Sequence, residues 1–207
     1  MPFTELIKPS LVQSDKSRDI FNNTIVPSIK SIIGAAPGFV LGAAGHSLIE
    51  NNAAVPESLF NPILGIEWED PKLFHDFIKS EEFPVFIANV KPHVTAPPSP
   101  ELYETDISPK DIFASPIIEV FRINIGDDSE KETAARTAWE ALTKSLIGTN
   151  VLSGVSVNLP ERLFLGMIGW SGIEQRKIAL DKLEHLKQAV ESLKDSQSFI
   201  AQLNTLI

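Results

Sequence analysis

The chain has 207 residues, 43% of them hydrophobic, which is enough apolar side chain to build the core of one larger or two smaller globular domains. Its 18 Lys and Arg stand against 27 Asp and Glu, giving a net charge of −9 with no local basic patch, so neither nucleic acid nor an anionic membrane surface is expected as a partner. The absence of cysteine rules out disulfides, thiolate metal sites and cysteine nucleophiles, and no apolar run approaches the roughly 18 residues of a membrane span; a soluble, cytoplasmic protein is expected.

In chain order, FTELIK at 3–8 reads as a strand. Residues 17–33 then place Ile20, Phe21, Ile25, Ile29, Ile32 and Ile33 on one stripe, predicting a helix with Ser17 as its N-cap and Gly34 as its stop. Pro27 inside it predicts a kink, or a helix that begins only near Pro27. GFVLGAAGHS at 38–47 and LFNPILGIEW at 59–68 read as paired strands. After Trp68, Asp70 can cap a helix whose first position is Pro71; it carries Leu73, Phe74, Phe77 and Ile78, breaks near residues 80–82 and resumes through Val85, Phe86 and Val90. Pro92, Pro97, Pro98 and Pro100 mark a semi-rigid connection, and ELYETD inside it reads as a closing strand.

The second half repeats this order. SPIIEVFRINI at 115–125 is its first strand, and Asp128 or Ser129 caps a helix running to about Leu146 with Ala135, Ala138, Trp139 and Leu142 on its stripe, before Gly148. VLSGVSVNL at 151–159 and RLFLGMIGW at 162–170 form the next strand pair. Ser171 and Glu174 make a capping box for a helix with Ile173, Leu180, Leu183, Leu186, Val190 and Leu193. Aligning Trp68 with Trp170 leaves the two Leu-Gly pairs one residue out of step. It also demands that the tail QLNTLI be an eighth strand, although Phe199, Ile200 and Leu203 fit a helix as well.

Two β-α-β-β-α-β units of this kind are ferredoxin-like, so the predicted class is α+β, with units at 1–108 and 109–207 joined in one intrachain α+β barrel. On GIEWEDPKLFHDFIKSEEFPVFIANVKP, echoed by GMIGWSGIEQRKIALDKLEHLKQAVESL, the chain resembles the dimeric α+β barrel superfamily. The particular resemblance is to tandem fungal proteins related to its stress-responsive A/B-barrel and antibiotic-biosynthesis-monooxygenase-like groups. That resemblance implies the barrel and a range of functions, among them cofactor-free monooxygenases, polyketide cyclases, decarboxylases, haem enzymes and proteins without known activity. It selects none of them.

The histidines His46, His75, His93 and His185 lack metal-ligand spacing, so neither a metal nor a cofactor is expected. Strand alternation puts Val40, Gly42, Ala44 and His46 on one face, and Gly154, Ser156 and Asn158 on another, leaving room for a cavity. His46 reads there either as a general acid or base or as a solvent-facing strand end. Along 115–125, Glu119 shares a face with Ile117, Phe121 and Ile123, while Arg122 lies opposite with Ile118 and Val120. A charge must therefore face an apolar layer, as a proton-transfer group or as an ion pair fixing the two units; Glu67 beside Trp68 poses the same choice. Trp68, Tyr103, Arg122 and His93 are the candidate substrate contacts, with core anchoring the competing role for the tryptophan.

The leading expectation is a cofactor-independent enzyme of small-molecule, secondary metabolism that binds a largely apolar, polyketide- or terpenoid-like substrate. His46, Glu67 and Glu119 would carry proton transfer driving cyclisation, elimination or rearrangement. The alternative is a non-catalytic, stress-associated or small-molecule-binding barrel. An exposed sheet edge would favour a homodimer.

Overall fold

The structure is a computed structural model that describes residues 1–144, 146, 148–182 and 197–206. Its strands are β1 (Phe3–Ile7), β2 (Phe39–Glu50), β3 (Ala53–Ala54), β4 (Pro62–Trp68), β5 (Glu101–Thr105), β6 (Ile117–Asn124), β7 (Asn150–Ser156), β8 (Leu163–Trp170) and β9 (Gln197–Thr205). Apart from β3, a short return from the end of β2, they close a ring in the order β2-β4-β1-β5-β7-β8-β6-β9 and back to β2, with every pair antiparallel. Within each half the last strand lies beside the first, then the third, then the second, which is the ferredoxin-like order. The class is thus α+β, two tandem ferredoxin-like units sharing one eight-stranded barrel.

The tail passes its test. Gln202 to Thr205 of that tail belong to β9, which starts at Gln197 and fills the slot between β6 and β2, so Phe199 and Leu203 face the barrel interior instead of a helix stripe. The edges that a single unit would offer to a second chain are occupied within this one: β5 pairs with β7 and β2 with β9. The homodimer expected from an exposed edge therefore finds these edges already taken. At the β2–β9 seam the strands approach so closely that a Cβ on Gly45 would sit 1.8 Å from the Gln202 carbonyl oxygen.

Alternation along each strand divides the side chains between the barrel and two outer layers. Leu6, Leu41, Ile63, Tyr103, Ile118, Val120, Leu165 and Met167 point inward and are buried. The linker between the halves adds α5 (Lys110–Phe113), whose Ile112 and Phe113 drop into the same interior with no exposure. A Cβ on Gly65 would stand 2.3 Å from the Phe113 ring, so Gly65 is the notch into which the linker's plug fits. At the β5–β7 seam, a Cβ on Gly154 would lie 2.6 Å from the Glu104 carbonyl oxygen, so this small residue of β7 serves close strand approach. Asn158 lengthens that seam with its side chain, accepting from the Leu102 N–H at 2.8 Å and donating to the Pro100 carbonyl at 2.9 Å.

Outside the first unit, β1, β2 and β4 are covered by a helical run over 17–33 and by α3 (Pro71–Ile78) and α4 (Glu82–Val90). The 17–33 run is continuous. It alternates α1 (Ser17–Ile20) and α2 (Val26–Ser28) with π-helical turns at Phe21–Ile25 and Ile29–Ile33. The run does not begin at Pro27: the first π turn ends at Ile25, two residues before the proline, so the residue without a donor falls close to where the bonding register changes. Ser17 is not the N-cap either; it begins α1, its hydroxyl donating to the Val12 and Ser14 carbonyls.

Asp70 caps α3 by accepting from the Lys72 N–H at 2.7 Å. Asp70→Ala should cost about 1 kcal/mol, read as a lower urea midpoint with unchanged slope.

Over the second unit lie α6 (Ser129–Thr143), capped by Asp128 and three residues shorter than its apolar stripe, and α7 (Ile173–Lys182). The expected Ser171–Glu174 capping box is replaced by Gln175, whose carbonyl accepts from the Ser171 N–H at 2.6 Å. The rest of the stripe after Leu180, including His185, falls outside the described residues. Strands β4 and β8 pair with β1 and β6 without a bulge, with Trp68 opposite Phe3 and Trp170 opposite Ile117. The two Leu-Gly pairs are therefore not equivalent: Gly65 faces the Phe113 plug, whereas Gly166 faces Trp139.

Candidate functional site

A concavity that combines aromatic and polar walls with a group able to move a proton at neutral pH lies outside the barrel, where the 17–33 helix crosses β2 and β9. It encloses about 320 Å³, and Arg18, Asn22, His46, Phe60, Gln202 and Asn204 contribute to its wall. Its geometry follows from strand parity. His46 stands opposite Pro62 on one side and Gln202 on the other, and shares the outward face of β2 with Ala44, whose small side chain leaves the space. The Phe60 ring is the hub: the His46 ring centroid lies 5.4 Å away, tilted by 30°, Phe21 is at 5.4 Å, and the Arg18 guanidinium carbon is 4.9 Å from the ring centre. Gln13 fixes Phe60 in turn, accepting from its N–H at 2.9 Å and donating to its carbonyl at 3.1 Å. Partial burial, aided by the Arg18 charge, holds the His46 pKa below the usual imidazole value. At neutral pH the imidazole is uncharged and available as a base.

A larger groove of about 530 Å³ runs between the end of the 17–33 helix and α3–α4, past Ile32, Leu73, Phe77 and Val85. Its ionisable wall groups, Asp76 and Glu82, are exposed helix-surface carboxylates, so it offers volume without reactive chemistry.

The other residues singled out from the sequence are distributed over different surfaces. Glu67 faces the barrel interior at one end, buried, and accepts from the Ser108 hydroxyl at 2.8 Å. Arg122 and Tyr103 meet at the opposite end around Glu101: Arg122 Nη1 donates to Glu101 Oε1, and the Tyr103 hydroxyl donates to Glu101 Oε2 at 2.6 Å. Since Glu101 and Tyr103 belong to β5 and Arg122 to β6, this is an ion pair tying one unit to the other across the barrel mouth. Burial and the Glu101 carboxylate raise the Tyr103 pKa well above its ordinary value, so the phenol stays protonated.

Glu119 lies on the outer face of the second unit, 4% exposed, with Trp170 Nε1 donating to it at 3.0 Å and Arg176 bonding both its oxygens at 2.9 and 2.7 Å. His93, itself half-buried, ends an otherwise exposed 3₁₀ turn, where its carbonyl accepts from the Val12 N–H. Trp68 is 1% exposed among Phe39, Phe74 and Phe77, with Nε1 on Glu5 Oε2 at 2.6 Å. His46, Glu67 and Glu119 thus occupy an outer groove, the barrel interior and the far unit's outer layer, and do not converge on one site. Among the described residues, no group of three His, Asp or Glu side chains could hold a metal ion, and no helix is long and apolar enough to cross a membrane.

By sequence, neither a family model nor a curated protein matches the chain. By structure, it superposes along its whole length on a protein from Lactobacillus acidophilus NCFM provisionally assigned as a monooxygenase, at TM-score 0.57 and 13% identity over 100% of this chain and 94% of that one. An anthrone oxidase-like protein matches at 0.58 and 15% identity, over 99% and 93% of the two chains. A protein provisionally assigned as a chlorite dismutase matches at 0.59 and 12%, over 99% and 96%. The fold is that of the dimeric α+β barrel superfamily, in tandem form. At these identities the likeness extends to the fold of the tandem barrel and not to its chemistry.

In this tandem barrel the residues around His46 escape a sequence reading for identifiable reasons. Phe60 and Gln13 are loop residues brought together by the β2–β4 connection, and Gln202 and Asn204 reach His46 only because β9 closes the ring. Arg18 did leave a signal. A cation in the first turn opposes the helix dipole, an arrangement that asks for a compensating role.

Proposed function

We propose that the chain is a small-molecule enzyme whose cofactor-independent step is proton transfer by His46 in the pocket under the 17–33 helix. The observation that carries this reading is the uncharged imidazole opening onto a walled pocket in which the Arg18 guanidinium shares the same aromatic platform. The imidazole takes a proton from a carbon next to a carbonyl group. The C–H electron pair becomes the new C=C bond as the carbonyl π pair moves onto oxygen, and Arg18 stabilises the resulting enolate. Return of the proton from the imidazolium to another atom completes an isomerisation; loss of a leaving group, or attack of the enolate carbon on a second carbonyl, completes an elimination or a cyclisation. The pocket's amides and guanidinium ask for a substrate with oxygen functions on a flat body, more polar than the largely apolar molecule expected from composition and pattern. A volume of about 320 Å³ sits at the small end of the range for ligand sites and suits one or two fused rings.

The experiment is exchange of the α-protons of small cyclic aryl ketones in D₂O, followed by NMR. Wild-type protein should accelerate exchange, and His46→Gln should lower that acceleration by about a hundredfold or more. The rate should climb as His46 deprotonates and be level by neutral pH, because its pKa lies below the ordinary imidazole value. Equal exchange by wild type and His46→Gln would sink the mechanism. Binding of such probes with no exchange by either protein would identify a non-catalytic binding barrel.

A further inference from the structure

We infer that the His46 pocket selects ligands carrying an anionic oxygen, a carboxylate or phenolate on a flat aromatic body, with Arg18 as the residue that imposes this choice. The inference rests on the reading of that pocket as the ligand site and adds the charge of what enters it. The chain carries a net charge of −9, yet among the described residues no Asp or Glu lines this pocket: the formal charges there are Arg18 and, when protonated, His46, and the other polar walls are the amides of Asn22, Gln202 and Asn204. Among the described residues the other arginines that reach a carboxylate do so from Arg122, Arg136, Arg162 and Arg176, whereas Arg18 has no ion pair.

Its guanidinium is instead held by the face of Phe60, a contact that fixes its position while leaving its N–H fork free to donate. Backbone geometry supports the placement. The π turn at Phe21–Ile25 follows directly after the turn bearing Arg18, widening the helix so that Arg18, Phe21, Asn22 and Val26 all reach the same pocket, and such turns recur at functional sites. An anionic oxygen between Arg18 and the neighbouring amides would gain charge-assisted hydrogen bonds while the ring lies against Phe60 and Phe21.

The test compares 2-naphthoate with 2-naphthamide, a pair of nearly equal shape and different charge, by calorimetric titration of the full chain at pH 7.5. Naphthoate should bind about tenfold or more tightly than the amide, and added salt should narrow the gap. Arg18→Gln should abolish the preference by weakening naphthoate binding at least to the level of naphthamide in the same variant, with an unchanged circular dichroism spectrum to show that the fold is intact. Equal affinity of the two probes, binding of neither, or a preference that survives in Arg18→Gln would overturn the inference. The proton-exchange assay with His46→Gln stands apart from this result: loss of exchange without charge preference rejects the anionic class and keeps the mechanism, and the converse rejects the mechanism alone.

Discussion

Replacing Glu119 by Ala should lower the stability of the chain by about 3–5 kcal/mol, the range for stranding a buried charge, and should do so without touching the His46 pocket. Glu119 is the sole carboxylate bonded to Arg176 among the described contacts, and Arg176 in turn covers it: their side chains are 5% and 18% exposed. The third partner is the buried Trp170 Nε1, which among the described residues has no other acceptor. Truncation therefore leaves a guanidinium and an indole N–H unpaired in a layer otherwise built from Phe121, Trp139, Phe164 and Ile168. Glu119→Gln keeps one carbonyl acceptor, enough for Trp170 Nε1 and Arg176 Nε, but loses the charge and the bond from Arg176 Nη2, so its loss should be smaller than that of the Ala variant. The double replacement of Glu119 and Arg176 by Gln and Met should recover most of the Ala variant's deficit, because no charge is then buried. Urea unfolding of the three variants reads the order. If Glu119→Ala proves as stable as the wild type, the pair contributes nothing to the fold.

Which carboxylate faces which layer was readable from alternation along the strands: Glu119 shares its face with Ile117 and Phe121, Arg122 with Ile118 and Val120, and each ends where that parity sends it. The repeat was legible and demanded a last strand at the tail, because one unit needs four strands, whereas the periodicity of Phe199, Ile200 and Leu203 left strand and helix both open there. What could not be read is whatever depends on two distant segments meeting. The filling of the barrel by Phe113, the Arg18–Phe60–His46 platform and the bond from Arg122 to Glu101 all join residues from elements whose separation is set by barrel closure. The π turns that absorb Pro27 lie beyond a periodicity argument for another reason: a 3.6-residue pattern and its wider variant place the same isoleucines on nearly the same stripe. One residue was within reach of the repeat itself. Aligning the first strands of the two halves on their carboxylates sets Glu5 against Glu119, a match that the alignment of tryptophans alone does not bring out.

Glu5→Gln should stabilise the chain by about 3 kcal/mol at pH 8, the opposite of what the same change does at Glu119. The two glutamates occupy equivalent places: Glu5 stands opposite Ile66 and accepts from Trp68, while Glu119 stands opposite Ile168 and accepts from Trp170. The difference is the residue six positions beyond each tryptophan, Arg176 in the second unit and Phe74 in the first. Without a cation, and with Ile66 and Leu102 as its cross-strand neighbours, the Glu5 carboxyl is raised by burial from 4.5 to about 7, only partly offset by the Trp68 bond. Because the folded-state value lies above the unfolded one, the native chain keeps a proton that the unfolded chain has already released. Stability contributed by this group is fully present below pH 4.5, is lost as pH rises toward 7, and is level above that. Glutamine presents the same acceptor to Trp68 with nothing to ionise, so the variant should gain most above pH 7 and little at pH 4.5. Urea midpoints measured from pH 4.5 to 8 should show a slope in the wild type, relative to Glu5→Gln, that is confined to this interval. A constant difference between the two proteins across that range would mean that Glu5 does not change protonation on folding. Phe74→Arg, which copies the second unit's solution into the first, should remove the same slope by the opposite route, holding the carboxylate ionised throughout.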